Sequence, residues 1–152
     1  MCLRSFASIL ALLMILAGCS SDESEERSDL VGRWKLNSYT LDDGSSKTVP
    51  DSATARIEIR DNGIISVAYL CGGYEASYTI ADTILSTRDA VFPEATCDGV
   101  EGGADALERN QLLERVLLNT QTTAVVSDND VLTVTAGSNE VLVFERADEL
   151  QA

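Results

Sequence analysis

The chain has 152 residues, 25 of them acidic and 11 basic, for a net charge of −14 with no histidine. That length suits one domain with a single modest core, and 45% hydrophobic against 24% charged residues is a globular balance rather than a disordered one. The acidity argues against nucleic acid, which needs clustered Lys and Arg, and the missing His removes Ser-His-Asp and Cys-His hydrolases and most zinc enzymes.

In chain order, residues 1–18 read as a leader. Arg4 gives a short positive start, and Phe6 to Leu16 is an apolar run too short for a comfortable membrane span. The run ends in Leu16-Ala17-Gly18-Cys19. This resembles the bacterial lipoprotein signal, in which the small residues fit the peptidase pocket and the Cys thiol receives diacylglycerol. The resemblance implies removal of 1–18 and a stable membrane anchor at Cys19, since several acyl chains contribute about 0.8 kcal/mol per buried CH₂. Ser20, rather than Asp, follows the Cys, which in such lipoproteins implies the outer membrane, facing the periplasm. Residues 19–29 then form an acidic tether: Ser20 to Asp29 holds five acids, one base and no apolar residue.

Residues 30–147 read as one domain, with 148–152 a short tail. Trp34 and Leu36 alternate with Arg33, Lys35 and Asn37, the period of a half-buried strand. Leu41 to Pro50 is polar and reads as a loop. Ile57 and Ile59 alternate with Arg56, Glu58 and Arg60, and Ile64 to Leu70 resumes after Asp61-Asn62-Gly63. Asn-Gly between two β-rich runs predicts a hairpin with a type I′ turn. Glu75 to Ile80 and Thr83 to Ser86 are further strands. Residues 87–103 are expected to be irregular chain around Cys97. Asp105 to Leu118 changes to a helical period, with Ala106, Leu113 and Leu117 on one face and Asp105–Arg109 as a favourable i,i+4 pair. Thr122 to Val126, Val131 to Val134 and Val141 to Phe144 close the domain as strands. Strands around a single helix predict an α+β domain, a small antiparallel β-sheet packed with one main α-helix.

Four cysteines are present. Cys2 leaves with the leader and Cys19 is the lipidation site, so Cys71 and Cys97 remain as an even pair in an oxidising compartment. A structural disulfide between them, closing about 26 residues, would contribute roughly 3.5 kcal/mol through denatured-state entropy. Zinc is the poorer reading with two Cys and no His, and the spacing is not Cys-x-x-Cys.

The order of parts resembles the META domain, an HslJ-like family of bacterial envelope and stress-associated proteins. The opening Leu-x-Gly-x-Trp-x-Leu is Leu30, Gly32, Trp34 and Leu36; the glycine-rich segment is Leu70-Cys71-Gly72-Gly73-Tyr74, with Tyr78 as a later aromatic. Ala95-Thr96-Cys97 stands for the stretch before the helix, and Leu142-Val143-Phe144-Glu145-Arg146 for the closing Leu-x-Phe-x-Arg. Gly72 stands where the family carries Asn. The competing resemblance is a small lipocalin-like β-barrel, whose first strand also begins Gly-x-Trp.

Asp42-Asp43-Gly44 and Asp128-Asn129-Asp130 lack the regular acids of a calcium loop and read as turn-formers. Glu94, Asp98 and Glu101 gather near Cys97 but in irregular chain. Tyr69, Tyr74 and Tyr78 are the candidate binding surface. No nucleophile–base pair is present, so the expectation is a non-enzyme without cofactor or metal, a monomer anchored to the membrane through Cys19. It would serve as a stress-related or interaction module for an envelope partner. The alternative is a small-ligand binder or carrier with a lipocalin-like pocket.

Overall fold

Buried and exposed side chains alternate along most strands of the domain, so each such strand offers one apolar face. The computed structural model describes residues 29–53, 55–70, 72–93, 103–119, 122–127, 130–137 and 139–147. The strands are β1 (Gly32–Thr40), β2 (Ser46–Thr48), β3 (Ala55–Ile59), β4 (Ile64–Tyr69), β5 (Gly72–Ala81), β6 (Ile84–Val91), β7 (Thr122–Ser127), β8 (Val131–Ala136) and β9 (Val141–Arg146). One long helix, α1 (Gly103–Leu117), lies between β6 and β7.

The sheet closes on itself. Neighbours pair antiparallel from β3 round to β9, and β9 then pairs with β1, placing Leu36 opposite Phe144 and Thr40 opposite Val141. The other edge of β1 carries β3 along Gly32–Lys35 and the short β2 along Ser38–Thr40. Eight strands therefore form an up-and-down barrel, with β2 an added flap. The inward set includes Trp34, Leu36, Ile57, Ile59, Ile65, Tyr74, Leu132, Leu142 and Phe144, all at most 2% exposed. These side chains fill the barrel's middle.

This corrects the expected architecture. A small sheet packed with a helix on its face is not what forms; the barrel held as the alternative is. Closure satisfies the edge strands β1 and β9, which would otherwise present unpaired N–H and C=O groups. The helix then covers one end of the barrel rather than a sheet face. The seam between β6 and β7 is short, with Ile84 opposite Thr123 and Leu85 opposite Thr122.

Three local expectations also change. The β3–β4 hairpin is present, but only Gly63 takes a positive φ (83°). Gly63 N donates to Arg60 O at 3.2 Å and Arg60 N to Ile64 O at 2.9 Å, a three-residue loop rather than a two-residue type I′ turn. β6 runs on to Val91, past a register shift in its pairing with β5 that accompanies Asp89 at φ 55°. Lys47, within the expected loop, belongs to β2 and reaches the helix.

The end away from the helix is closed by Trp34 and Arg146. Trp34 Nε1 donates to Leu30 O at 2.9 Å, and the Arg146 guanidinium lies over the indole at 4.2 Å. Arg146 also donates to Val31 O (3.2 Å), Asp29 O (3.0 Å) and the Asp130 carboxylate (2.8 Å). One arginine thus ties the chain entry to the final strand.

Candidate functional site

The other end of the barrel is covered by α1, and its construction follows from the helix's two kinds of residue. Leu112, Leu113, Val116 and Leu117 are fully buried beneath it, each contributing about 1.5–3 kcal/mol by leaving water. Polar groups fasten the rim on every side. Tyr39 Oη of β1 donates to Glu108 (3.1 Å), which also accepts from Lys47 of β2 (2.7 Å); Lys47 reaches Asp105 at 3.2 Å. On the β4 side, the Tyr69 hydroxyl donates to Glu114, and Asn110 Nδ2 donates to Leu70 O at 2.9 Å. Thr87 of β6 and Thr122 of β7 donate to the helix carbonyls of Leu117 (2.6 Å) and Val116 (2.8 Å). Arg115 donates from Nε and Nη2 to Glu140 Oε1 at 2.9 and 2.6 Å, giving a buried carboxylate its counterion.

The electrostatics follow this fastening. Hydrogen bonds from Lys47 to Glu108 and then Asp105 raise the lysine's pKa. Burial, then the hydrogen bond to Glu108, raises that of Tyr39. The hydrogen bond to Glu140 raises that of Arg115. Tyr74 is pushed well above the ordinary tyrosine value, first by burial and then by Tyr69 and Glu114, so it remains a neutral hydroxyl.

Against this background, among the described residues three buried polar atoms have no hydrogen-bond partner: Tyr74 Oη, Arg109 Nε and Asn110 Oδ1. All three lie at the helix-covered end, since Tyr74 is near the start of β5, opposite Val67, and the others are on α1. Phe92, half exposed, packs on the Tyr74 ring at a centroid distance of 5.1 Å. The i,i+4 spacing predicts an Asp105–Arg109 pair. In the structure Asp105 binds Lys47, and Arg109 turns inward at 6% exposure. Its position was readable: Arg109 is three residues after Ala106 and four before Leu113, on the same apolar face.

Of the tyrosines singled out from the sequence, Tyr69 and Tyr74 reach this mouth. Tyr78 points inward as well, but its hydroxyl donates to Arg60 O (2.7 Å) at the β3–β4 turn, the opposite end. Cys19, Cys71 and Cys97 lie outside the described residues, as do Glu94, Asp98 and Glu101. Asp43 accepts from Ser45 N at 2.8 Å and Asp130 binds Arg146, both as turn residues do; Asp128 and Asn129 lie outside the described residues. Among the described residues no group of three acids or cysteines is placed to hold a metal. Three open depressions are formed: about 330 Å³ over the outer face of β1, β3 and β4, about 450 Å³ beside the solvent face of α1, and about 110 Å³ near Asp29 and Asp82. Each lies outside the barrel.

No family model matches the chain, and no curated protein matches it. Solved structures do. A protein from Burkholderia xenovorans, solved by NMR, is 17% identical with a TM-score of 0.64, covering 97% of this chain and all of that one. A lipocalin-like protein from Bacteroides uniformis is 14% identical with a TM-score of 0.53, over 78% of this chain and 99% of that one. A DUF4847 family protein from Bacteroides vulgatus is 16% identical with a TM-score of 0.51, over 82% and 99%. These likenesses establish the lipocalin-like barrel fold.

Proposed function

We propose that this chain is a lipid-anchored envelope protein whose barrel binds a small molecule at the helix-covered mouth. The observation that carries this reading is the set of three buried polar atoms that, among the described residues, have no partner and lie at the same end of the barrel. Such groups cost about 1–3 kcal/mol each when left unpaired, and a bound ligand would satisfy them. The lipocalin-like likeness supports the reading by fold analogy only. The anchor rests on Leu16-Ala17-Gly18-Cys19; among the described residues no helix is long and apolar enough to cross a membrane.

A packed lumen restricts what can bind. Trp34, Leu36, Leu132 and Phe144 occupy the middle of the barrel, so the ligand is small and sits under α1 rather than deep in a calyx. The same packing favours a second reading, an interaction module that uses its outer surface on an envelope partner. Screening full-length protein against small metabolites by thermal shift separates the two. A ligand that raises the melting temperature and protects α1 from hydrogen exchange supports the first. No hit, together with a specific crosslinked partner in intact cells, supports the second.

A further inference from the structure

Arg109 is the anomaly of this molecule. Six other basic side chains, Arg33, Lys35, Lys47, Arg60, Arg115 and Arg146, find carboxylates. Arg56 and Arg88 are exposed. Arg109 is 6% exposed, its Nε has no acceptor, and among the described residues no ion pair reaches it. A surplus of acid makes this more telling, because counterions are not scarce. The carboxylates flanking it on the helix are already engaged: Glu108 by Lys47 and Tyr39, Glu114 by Tyr69.

The planar fork of a guanidinium matches a carboxylate or phosphate through two parallel N–H···O bonds. Asn110, the next residue, has its amide oxygen free to accept while its Nδ2 is held by Leu70 O. Tyr74 brings an unpartnered hydroxyl to the same end, and its raised pKa keeps that hydroxyl a donor. Resting on the small-molecule reading above, we infer that Arg109 anchors an oxyanion group of a small organic acid, a carboxylate or phosphate, seated under α1. Tyr74 Oη donates to that ligand, and Asn110 Oδ1 accepts from a hydroxyl or N–H on its body. Leu112, Leu113 and Val116 make the surroundings apolar, where a charge pair is stronger than in water.

The test is calorimetric titration of the full-length protein with hexanoate, 3-hydroxyhexanoate and hexyl phosphate, with hexanamide as the neutral control. Charged probes should bind at least about thirty-fold more tightly than hexanamide, and Arg109→Met should lose that margin. The hydroxylated acid should exceed hexanoate, and Asn110→Asp should abolish binding of both. Whether carboxylate or phosphate binds more tightly assigns the group. Arg109→Met should melt at or above the wild-type temperature without ligand, because it removes an uncompensated buried charge; a clearly lower melting temperature would make the guanidinium structural and overturn the inference. So would suppression of the Arg109→Met effect by changing Glu94, Asp98 or Glu101, which would give the cation a partner within this chain. A neutral ligand that binds wild type and Arg109→Met alike sinks the oxyanion and keeps the small-molecule reading. Binding of no probe, neutral or charged, sinks both.

Discussion

Replacing Tyr74 with Phe should stabilise the ligand-free barrel. The tyrosine is 2% exposed and its hydroxyl has no partner, so folding strips water from that group without returning a hydrogen bond. Leaving a buried hydroxyl unsatisfied costs about 1–3 kcal/mol. Phe keeps the ring, its contact with Phe92 and nearly all the buried area. A gain of about 1 kcal/mol is expected at pH 7, or roughly 3 °C in Tm for a domain of this size. The chain's one tryptophan, Trp34, is fully buried and reports unfolding by fluorescence in urea. The m-value should not change, because the surface exposed on unfolding is the same. A pH series adds a second, independent reading. The folded Tyr74 pKa is raised above the ordinary 10.0, so above about pH 10 the unfolded phenol ionises while the folded one keeps its proton. The stability this residue contributes is therefore intact below pH 10 and falls as pH rises, by up to about 1.4 kcal/mol per pH unit. Tyr74→Phe should flatten that alkaline limb. Lower stability at pH 7 would show that the hydroxyl has a partner in the folded protein, and alkaline limbs that stay parallel would show that burial does not raise its pKa.

Gly73→Ala should destabilise by about 3 kcal/mol in the same urea assay, since a Cβ there would stand 2.2 Å from Val67 O, a backbone atom that cannot turn aside. Arg146→Met should lower stability by about 2 kcal/mol by removing the stack on Trp34 and the bonds to Asp29, Val31 and Asp130; an unchanged urea midpoint would show that these contacts do not hold the barrel's end. Cys19→Ser should move the protein from the membrane pellet to the soluble fraction, and continued co-sedimentation would remove the lipid anchor from the proposal. Non-reducing peptide mapping should recover Cys71 linked to Cys97, whereas two free thiols would exclude the disulfide.

Strand by strand, much of the wall was legible because each strand buries one face. Ile57 and Ile59, Ile65 and Val67, Leu132 and Val134, and Leu142 and Phe144 all alternate cleanly and all point inward. Closure was not legible. The pairing of Leu36 with Phe144 joins residues from opposite ends of the domain, and nothing local in either strand distinguishes a barrel seam from an edge. The period of α1 likewise names its apolar face without saying whether that face meets a sheet or a barrel's mouth. The far half of β6 was hidden because Arg88 and Asp89 both face solvent at the register shift and break the alternation. The mouth was half visible. Tyr69 and Tyr74 were singled out as aromatics, while Arg109 was given a surface ion pair because i,i+4 spacing to Asp105 is a local rule, and burial by the barrel overrode it.

The two ends of the barrel differ in how their polar groups are satisfied, and this is what the small-molecule proposal rests on. At the Trp34 end every named polar group is engaged: the indole N–H, the Arg146 guanidinium and the Tyr78 hydroxyl each have a backbone acceptor. At the α1 end the helix is fastened along its rim, yet among the described residues three buried polar atoms, two on the helix and one on β5, are left unmatched. Poor packing does not explain them, because the neighbouring Leu112, Leu113, Val116 and Leu117 are fully buried. On the small-molecule proposal, a helix held by hydrogen bonds at its edges but carrying unsatisfied polar atoms bears a local loss of stability that a ligand there would restore. Natural proteins retain such groups where binding repays them, as the trade between stability and function requires. Substitutions in the filled lumen should then act on folding alone, and those at the α1 mouth on binding as well as on stability.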